Sequence, residues 1–240
     1  MKKIVILISI IFISISMFSQ KVLLDERTDS IYTIKKWGQN RQNYLHFYVD
    51  YGVAVGKPEG NSFDIKYGLS REWRFGLRYK RRVCEHYAMG LDLSISEFRY
   101  RFAQYSTNII PDTLLHEKEY LGLPTVGLEY FNRINFGKRG NKVGNYIDFG
   151  AYATYTYSAY HRFWDELTVP INGASKSKTE LYKLNYLTDL QWGLKARFAI
   201  NRLSIWASYR MSDWFNSKFH TQTISAELPR TTVGIEIGFF

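Results

Sequence analysis

From residue 43 to residue 239 apolar and polar side chains alternate with a period of two, in eight separate runs. Successive residues of an extended strand point to opposite faces of a sheet, so each run predicts a strand with one apolar and one polar face. In the first, Leu45, Phe47, Val49, Tyr51, Val53 and Val55 alternate with Tyr44, His46, Tyr48, Asp50, Gly52 and Ala54. The short stretch "GKPEGNS" predicts a turn, and a second strand over about 63–82 sets Leu69, Trp73, Phe75, Leu77 and Tyr79 against Ser70, Glu72, Arg74, Gly76, Arg78 and Lys80. A third strand, 86–102, opposes Met89, Leu91, Leu93 and Ile95 to Gly90, Asp92, Ser94 and Ser96, and then changes phase to Phe98, Tyr100 and Phe102. That change predicts a bulge or a stretch lying beyond a bilayer. The fourth strand covers 119–136 and the fifth 143–158, followed by a polar loop over 160–179. The sixth ends near residue 200, the seventh begins at Leu203, and the eighth runs to the last residue.

Eight strands joined in sequence predict an all-β fold, an eight-stranded antiparallel up-and-down transmembrane β-barrel. In a soluble barrel the apolar face would point inward; in a membrane barrel it meets lipid and the polar face lines the interior. The polar faces carry the acids Asp50, Glu72, Asp92, Glu129, Asp148, Asp189 and Glu236 and the bases Arg74, Arg78, Lys80, Lys195, Arg197 and Arg210. Opposite charges in near balance, mixed with Gly, Ser and Thr, suit a paired network in a narrow interior. The membrane arrangement is therefore the expected one. A closed barrel also satisfies every backbone hydrogen-bonding group in lipid, which an open sheet does not.

The front of the chain agrees. "MKKIVILISIIFISISMFSQ" has a charged start, an apolar stretch and a polar end, the pattern of a secretory signal, predicted over 1–19. Its apolar run is shorter than the ~20 residues that a membrane-spanning helix needs. Cysteine is absent there, which predicts no lipid tether. Residues 20–42 read as a periplasmic N-terminal extension, and 43–240 as the barrel. The lone cysteine, Cys84, permits no internal disulfide. Nineteen Tyr, 16 Phe and 6 Trp make 17% of the chain aromatic, far more than a soluble core needs and suited to the interfacial girdles of a membrane barrel. The net charge of +10 becomes +8 without Lys2 and Lys3, and on an exported chain it suits anionic lipid phosphates or acidic envelope polymers better than nucleic acid.

The last strand, "TTVGIEIGFF", alternates Val233, Ile235, Ile237 and Phe239 with Thr232, Gly234, Glu236 and Gly238. A signal, eight alternating strands and an aromatic terminus together resemble the small outer-membrane β-barrel family of Bacteroidota, over about residues 43–240. The resemblance implies an outer-membrane location, contact with outer-membrane lipid and lipopolysaccharide, and recognition of Phe239 and Phe240 by the barrel-insertion machinery. In the family the alternating apolar residues share the phase of the final aromatic. Here they share that of Phe239, and Phe240 is one residue extra.

Candidate chemistry is sparse. The histidines, at 46, 86, 116, 161 and 220, lack the spacing of a metal site. His116, His161 and His220 fall on the long-loop side with Glu117, Asp165 and Asp213 nearby in sequence, and Ser158 would be a nucleophile for a hydrolase or acyltransferase. No motif frames such a nucleophile. "GKRG" at 137–140 has the spacing of a nucleic-acid-clamping loop, but that loop needs flanking helices and here has strands. "RYKRRV" at 78–83 sends Arg78 and Lys80 inward and leaves Arg81 and Arg82 at the rim, where with Lys138, Arg139 and Lys142 they form a basic collar. The sequence thus predicts a non-enzymatic structural or interaction subunit without cofactor, accessory to an envelope or secretion assembly. A narrow channel, a lipid-modifying enzyme and a soluble periplasmic carrier are the alternatives.

Overall fold

The computed structural model describes residues 36–60, 63–105, 114–137, 140, 142–171, 173–216 and 226–239. The signal segment, most of the N-terminal extension, Lys138, Arg139, His220 and Phe240 lie outside the described residues. Ten strands follow one another: β1 Asn43–Val55, β2 Arg71–Arg82, β3 Tyr87–Arg101, β4 Lys118–Phe136, β5 Asn145–Thr156, β6 Tyr160–Ile171, β7 Ala174–Tyr182, β8 Leu190–Ile200, β9 Leu203–Arg210 and β10 Thr231–Phe239. Eight of them close an antiparallel barrel in the order β3-β2-β1-β10-β9-β8-β5-β4, with β4 returning to β3. Closure leaves no unpaired edge along the wall. The last strand completes it by pairing with the first, Val49 opposite Ile237 and Asp50 opposite Glu236.

The barrel is apolar outside and charged inside. Phe47, Phe75, Leu93, Leu128, Ile205 and Ile235 are each more than half exposed, while Arg78, Arg133, Arg197 and Lys80 are sealed within. A soluble carrier would show the reverse distribution, with its apolar face inward and its charged face in water. Small inward residues let large ones cross the narrow bore. A Cβ on Gly76 would lie 2.3 Å from the Tyr48 ring, and one on Gly234 2.6 Å from the Trp206 ring. Tyr48 is held in place by its hydroxyl, which donates to Asp92 Oδ1 at 2.6 Å. Gly76→Ala is therefore expected to destabilise the folded barrel by about 1–3 kcal/mol through overpacking, read as a lower urea midpoint. Gly56→Ala, where an added Cβ meets nothing, tests the backbone term alone at φ +98.

Three expectations are corrected. The chain between β1 and β2 is long, because residues 63–70 fold over the barrel mouth instead of extending β2: Ile65 bridges to Phe102, and Gly68 turns the chain at φ +73. In β3 there is no bulge, as its pairing with β2 and β4 runs unbroken from Arg82–Ala88 to Arg101–Tyr120. Phe98, Tyr100 and Phe102 keep the inward phase of Asp92, and the interior itself changes from charged to apolar. The polar segment 160–179 is a hairpin, β6 and β7, closed by the pairing of Ile171 with Ala174; the intervening sequence, Asn-Gly, is a dipeptide suited to two-residue hairpin turns.

This hairpin prolongs the wall. Both β5 and β6 pair with β4, at Thr125–Thr156 and then Gly122–Tyr160, so β6 continues β5 after a break at 157–159. Pro124 lies at the break. It accepts a hydrogen bond from Tyr157 through its carbonyl but has no N–H to return. Beyond it, β4, β6 and β7 form a three-stranded blade past the barrel.

Candidate functional site

Interior side chains form one connected network. Arg78 donates to Asp92 at 2.9 Å and, with both terminal nitrogens, to Glu236 at 2.6 and 2.7 Å. Arg197 reaches three carboxylates, Glu236 at 3.1 Å, Asp148 at 2.8 Å and Glu129 at 3.1 Å. Arg133 makes a forked pair with Asp148, at 2.7 and 2.8 Å. Lys195 joins Asp50 at 3.1 Å, and Arg74 links Asp50 to Glu72 at 3.7 and 2.6 Å. Aromatic faces fill the remaining space, with Arg78 over Tyr48 and Arg133 over Tyr146. Forked guanidinium–carboxylate pairs of this kind are directional as well as charged.

The sequence-predicted interior set divides in three. Asp50, Glu72, Arg74, Arg78, Asp92, Glu129, Asp148, Lys195, Arg197 and Glu236 meet in the network. Lys80 is buried at the short-turn end, donating to the Gln39 carbonyl at 2.7 Å, and Arg210 belongs to the opposite mouth. Asp189 is a correction: it is exposed just before β8 begins, so its place in the alternation does not put it inside. Arg133 was missed, although continuing the β4 phase from Glu129 by four residues reaches it.

Above the network the interior becomes apolar. Phe63, Ile65, Phe98, Tyr100, Phe102, Leu121, Leu123, Trp214, Phe215 and Leu228 pack into a cap across the long-loop mouth. Glu227 fastens it. Its buried carboxylate accepts from the backbone N–H groups of Trp214, Phe215 and Leu228 at 3.0–3.3 Å and from Arg210 at 2.8 Å. Its backbone exchanges hydrogen bonds with Glu59, at 2.8 and 3.0 Å. Outside it, Arg230 grips Glu59 at 2.7 Å and Asp213 at 2.5 Å, and its hydrogen bond holds the Glu59 carboxyl below the usual range. Between network and cap remains a polar void of about 50 Å3, with room for about one or two waters. Glu227→Ala leaves three donors and a guanidinium without this acceptor. It is expected to raise protease cleavage at 211–230 while the barrel stays folded.

The blade brings together histidines and acids in an arrangement that the sequence did not show. His116 Nδ1 lies 2.6 Å from Asp165, and His161 Nε2 lies 2.7 Å from Glu119. Gln104 joins the pairs, donating to Glu119 at 2.5 Å and accepting from the His116 N–H at 2.8 Å, while Phe163 stacks on His116. Glu117 instead pairs with Lys176 at 2.8 Å, and Asp213 with Arg230. Ser158 is exposed in the break before β6. The blade's outer strand is charged: hydrogen bonds from Lys178 first, then Tyr182, hold Glu180 down to about 2.

At the short-turn end, Phe239 is exposed on the outer wall opposite Phe47, Arg81 is exposed, and Arg82 donates to the Asn40 carbonyl at 3.0 Å. Among the described residues no cluster of three or more His, Cys, Asp or Glu could hold a metal.

The chain matches no family model, and no curated protein matches it. Among solved structures it is similar to that of Ail, the attachment invasion locus protein of Yersinia pestis, in complex with the heparin analogue sucrose octasulfate. Identity is 12%, over 81% of this chain and 94% of Ail, with a TM-score of 0.33.

Proposed function

We propose that this protein is an occluded, non-enzymatic barrel of the bacterial outer membrane, of the small Bacteroidota type, whose blade is an interaction surface. The observation that carries the reading is the sealed interior. An eight-stranded barrel has a bore that side chains can fill, and here a paired charge network fills it below an apolar cap. The apolar outer wall suits lipid, and the long connections then face outward, with the short turns 83–86, 137–144 and 201–202 in the periplasm. Phe239 and Phe240 would serve as the insertion signal, and an envelope or secretion-assembly protein would meet the blade, which exposes Leu181 and Tyr182 beyond the barrel.

Planar-bilayer recording of the purified full chain tests the sealed interior. No steady open state is expected, and a large, lasting conductance would make the protein a channel instead. Outer-membrane fractionation with gels run before and after boiling tests location. A compact barrel should change mobility on heating, and recovery in the detergent-free soluble fraction would overturn the membrane assignment.

A further inference from the structure

We propose that the short-turn end carries a binding site for an anionic glycerophospholipid, in a cleft between the β4–β5 and β8–β9 turns. The cleft encloses about 530 Å3. Lys142 and Arg202 supply its charge, Gln39 and Asn201 its neutral polar groups, and Ile200 and Leu203 its apolar flank. Among the described residues none of those lining it is acidic. The inference rests on the membrane reading above, because that reading places this end at the inner leaflet.

The cleft is assembled from separate segments that hydrogen bonds hold together. Asn201, in the left-handed region at φ +55, donates its N–H to the Gly144 carbonyl at 3.1 Å and so ties one turn to the other. The Arg202 carbonyl accepts from the Gly238 N–H at 2.8 Å. On the third side, the Asn40 side chain donates to the Gly140 carbonyl at 2.5 Å, and the Gln39 carbonyl holds Lys80. Among the described residues the surrounding rim is basic, with Lys36, Arg41, Arg81 and Arg82 against the acid Glu85. Charged residues of the opposite end are mixed in sign, as the pairs Glu59–Arg230, Glu117–Lys176 and Glu180–Lys178 illustrate.

Ligand class follows from the two halves of the cleft. An ammonium and a guanidinium lining one cleft suit a phosphate, the one as a point charge and the other as a planar fork. Ile200 and Leu203 pair across the strand ends, are 55% and 61% exposed, and continue the apolar outer wall. A soluble phosphate would have no use for that flank. A lipid would place its phosphodiester between Lys142 and Arg202, its glycerol against Asn201 and Gln39, and its acyl chains down the wall. Net negative headgroups gain most from a rim with so few acids.

Native mass spectrometry of the folded full chain in neutral detergent, with equal phosphatidylglycerol and phosphatidylcholine, tests the site. Phosphatidylglycerol should be retained in preference, and Lys142→Gln with Arg202→Gln should lower that preference by about fivefold for each basic group removed. Both side chains are exposed in turns, and heat-dependent gel mobility will confirm that each variant is folded. Lys176→Gln with Lys178→Gln, on the blade, should leave retention unchanged. Equal retention of the two lipids, or an unaltered preference in the double variant, would overturn the proposal. So would displacement of the lipid by millimolar inorganic phosphate, which would make this a free-phosphate site, or capture only of an acidic periplasmic protein.

Discussion

Replacing Arg197 by Met should cost the folded barrel about 3–5 kcal/mol, the usual penalty for removing one partner from a buried ion pair. Arg197 has no exposed side-chain surface and is the joint between Glu236, Asp148 and Glu129. Met fills much of the same volume but leaves those carboxylates sharing fewer cations in a space that water hardly enters. Arg197→Lys keeps the charge and loses the fork, so it should fall between Met and wild type. The control is Arg99, whose pair with Glu97 at 2.7 Å has side chains 44% and 32% exposed. Arg99→Ala should change stability by no more than about 1 kcal/mol. Urea midpoints followed by gel mobility decide the matter, and equal shifts for Arg197→Met and Arg99→Ala would show that the interior network contributes no more than a surface pair.

Leu93→Arg should prevent stable insertion in much of the population. Leu93 is 54% exposed at the middle of β3, between Leu77 and Leu128 on the neighbouring strands. An arginine near the bilayer midplane of such a barrel costs about 2–4 kcal/mol, and the cost fades towards the interfaces. Arg71 and Arg99 already face one another on the same outer surface, nearer the long-loop end. Arg71→Leu should accordingly have little effect. The folded fraction recovered in lipid vesicles measures both, and undiminished insertion of Leu93→Arg would count against a lipid-facing wall.

Much of the barrel was legible in advance because a period of two is a local property. Phe47 and Asp50 fall on opposite faces whatever the rest of the chain does, and a run of such residues identifies a strand without knowledge of its neighbours. The hairpin escaped notice for a related reason. Neither strand sets an apolar face against a polar one: β6 mixes charged, polar and aromatic residues on both faces, and β7 sets Lys176, Lys178 and Glu180 against Ser175, Ser177 and Thr179, so no apolar alternation marks them. Its one clear signal was the turn dipeptide Asn172-Gly173. Of the two readings of the Phe98–Tyr100–Phe102 run, a bulge or a stretch beyond a bilayer, the bulge is excluded by the unbroken pairing: a change of interior composition along one face looks, in sequence, like a change of phase.

Alternation by itself determined the eight barrel strands, their two faces and most of the charges available to the interior, because each depends only on residues one or two positions apart. Only the closed structure decided which charges meet. Arg197 and Glu236 lie on β8 and β10, Arg78 and Asp92 on β2 and β3, and the bore brings them into one network by facing every strand towards a common axis. The same holds for Glu227, a loop acid without any periodic signature that becomes the fastening of the cap once three backbone N–H groups converge on it. Such partners are set by barrel closure and loop path, which are long-range features, and no local pattern of side chains encodes them.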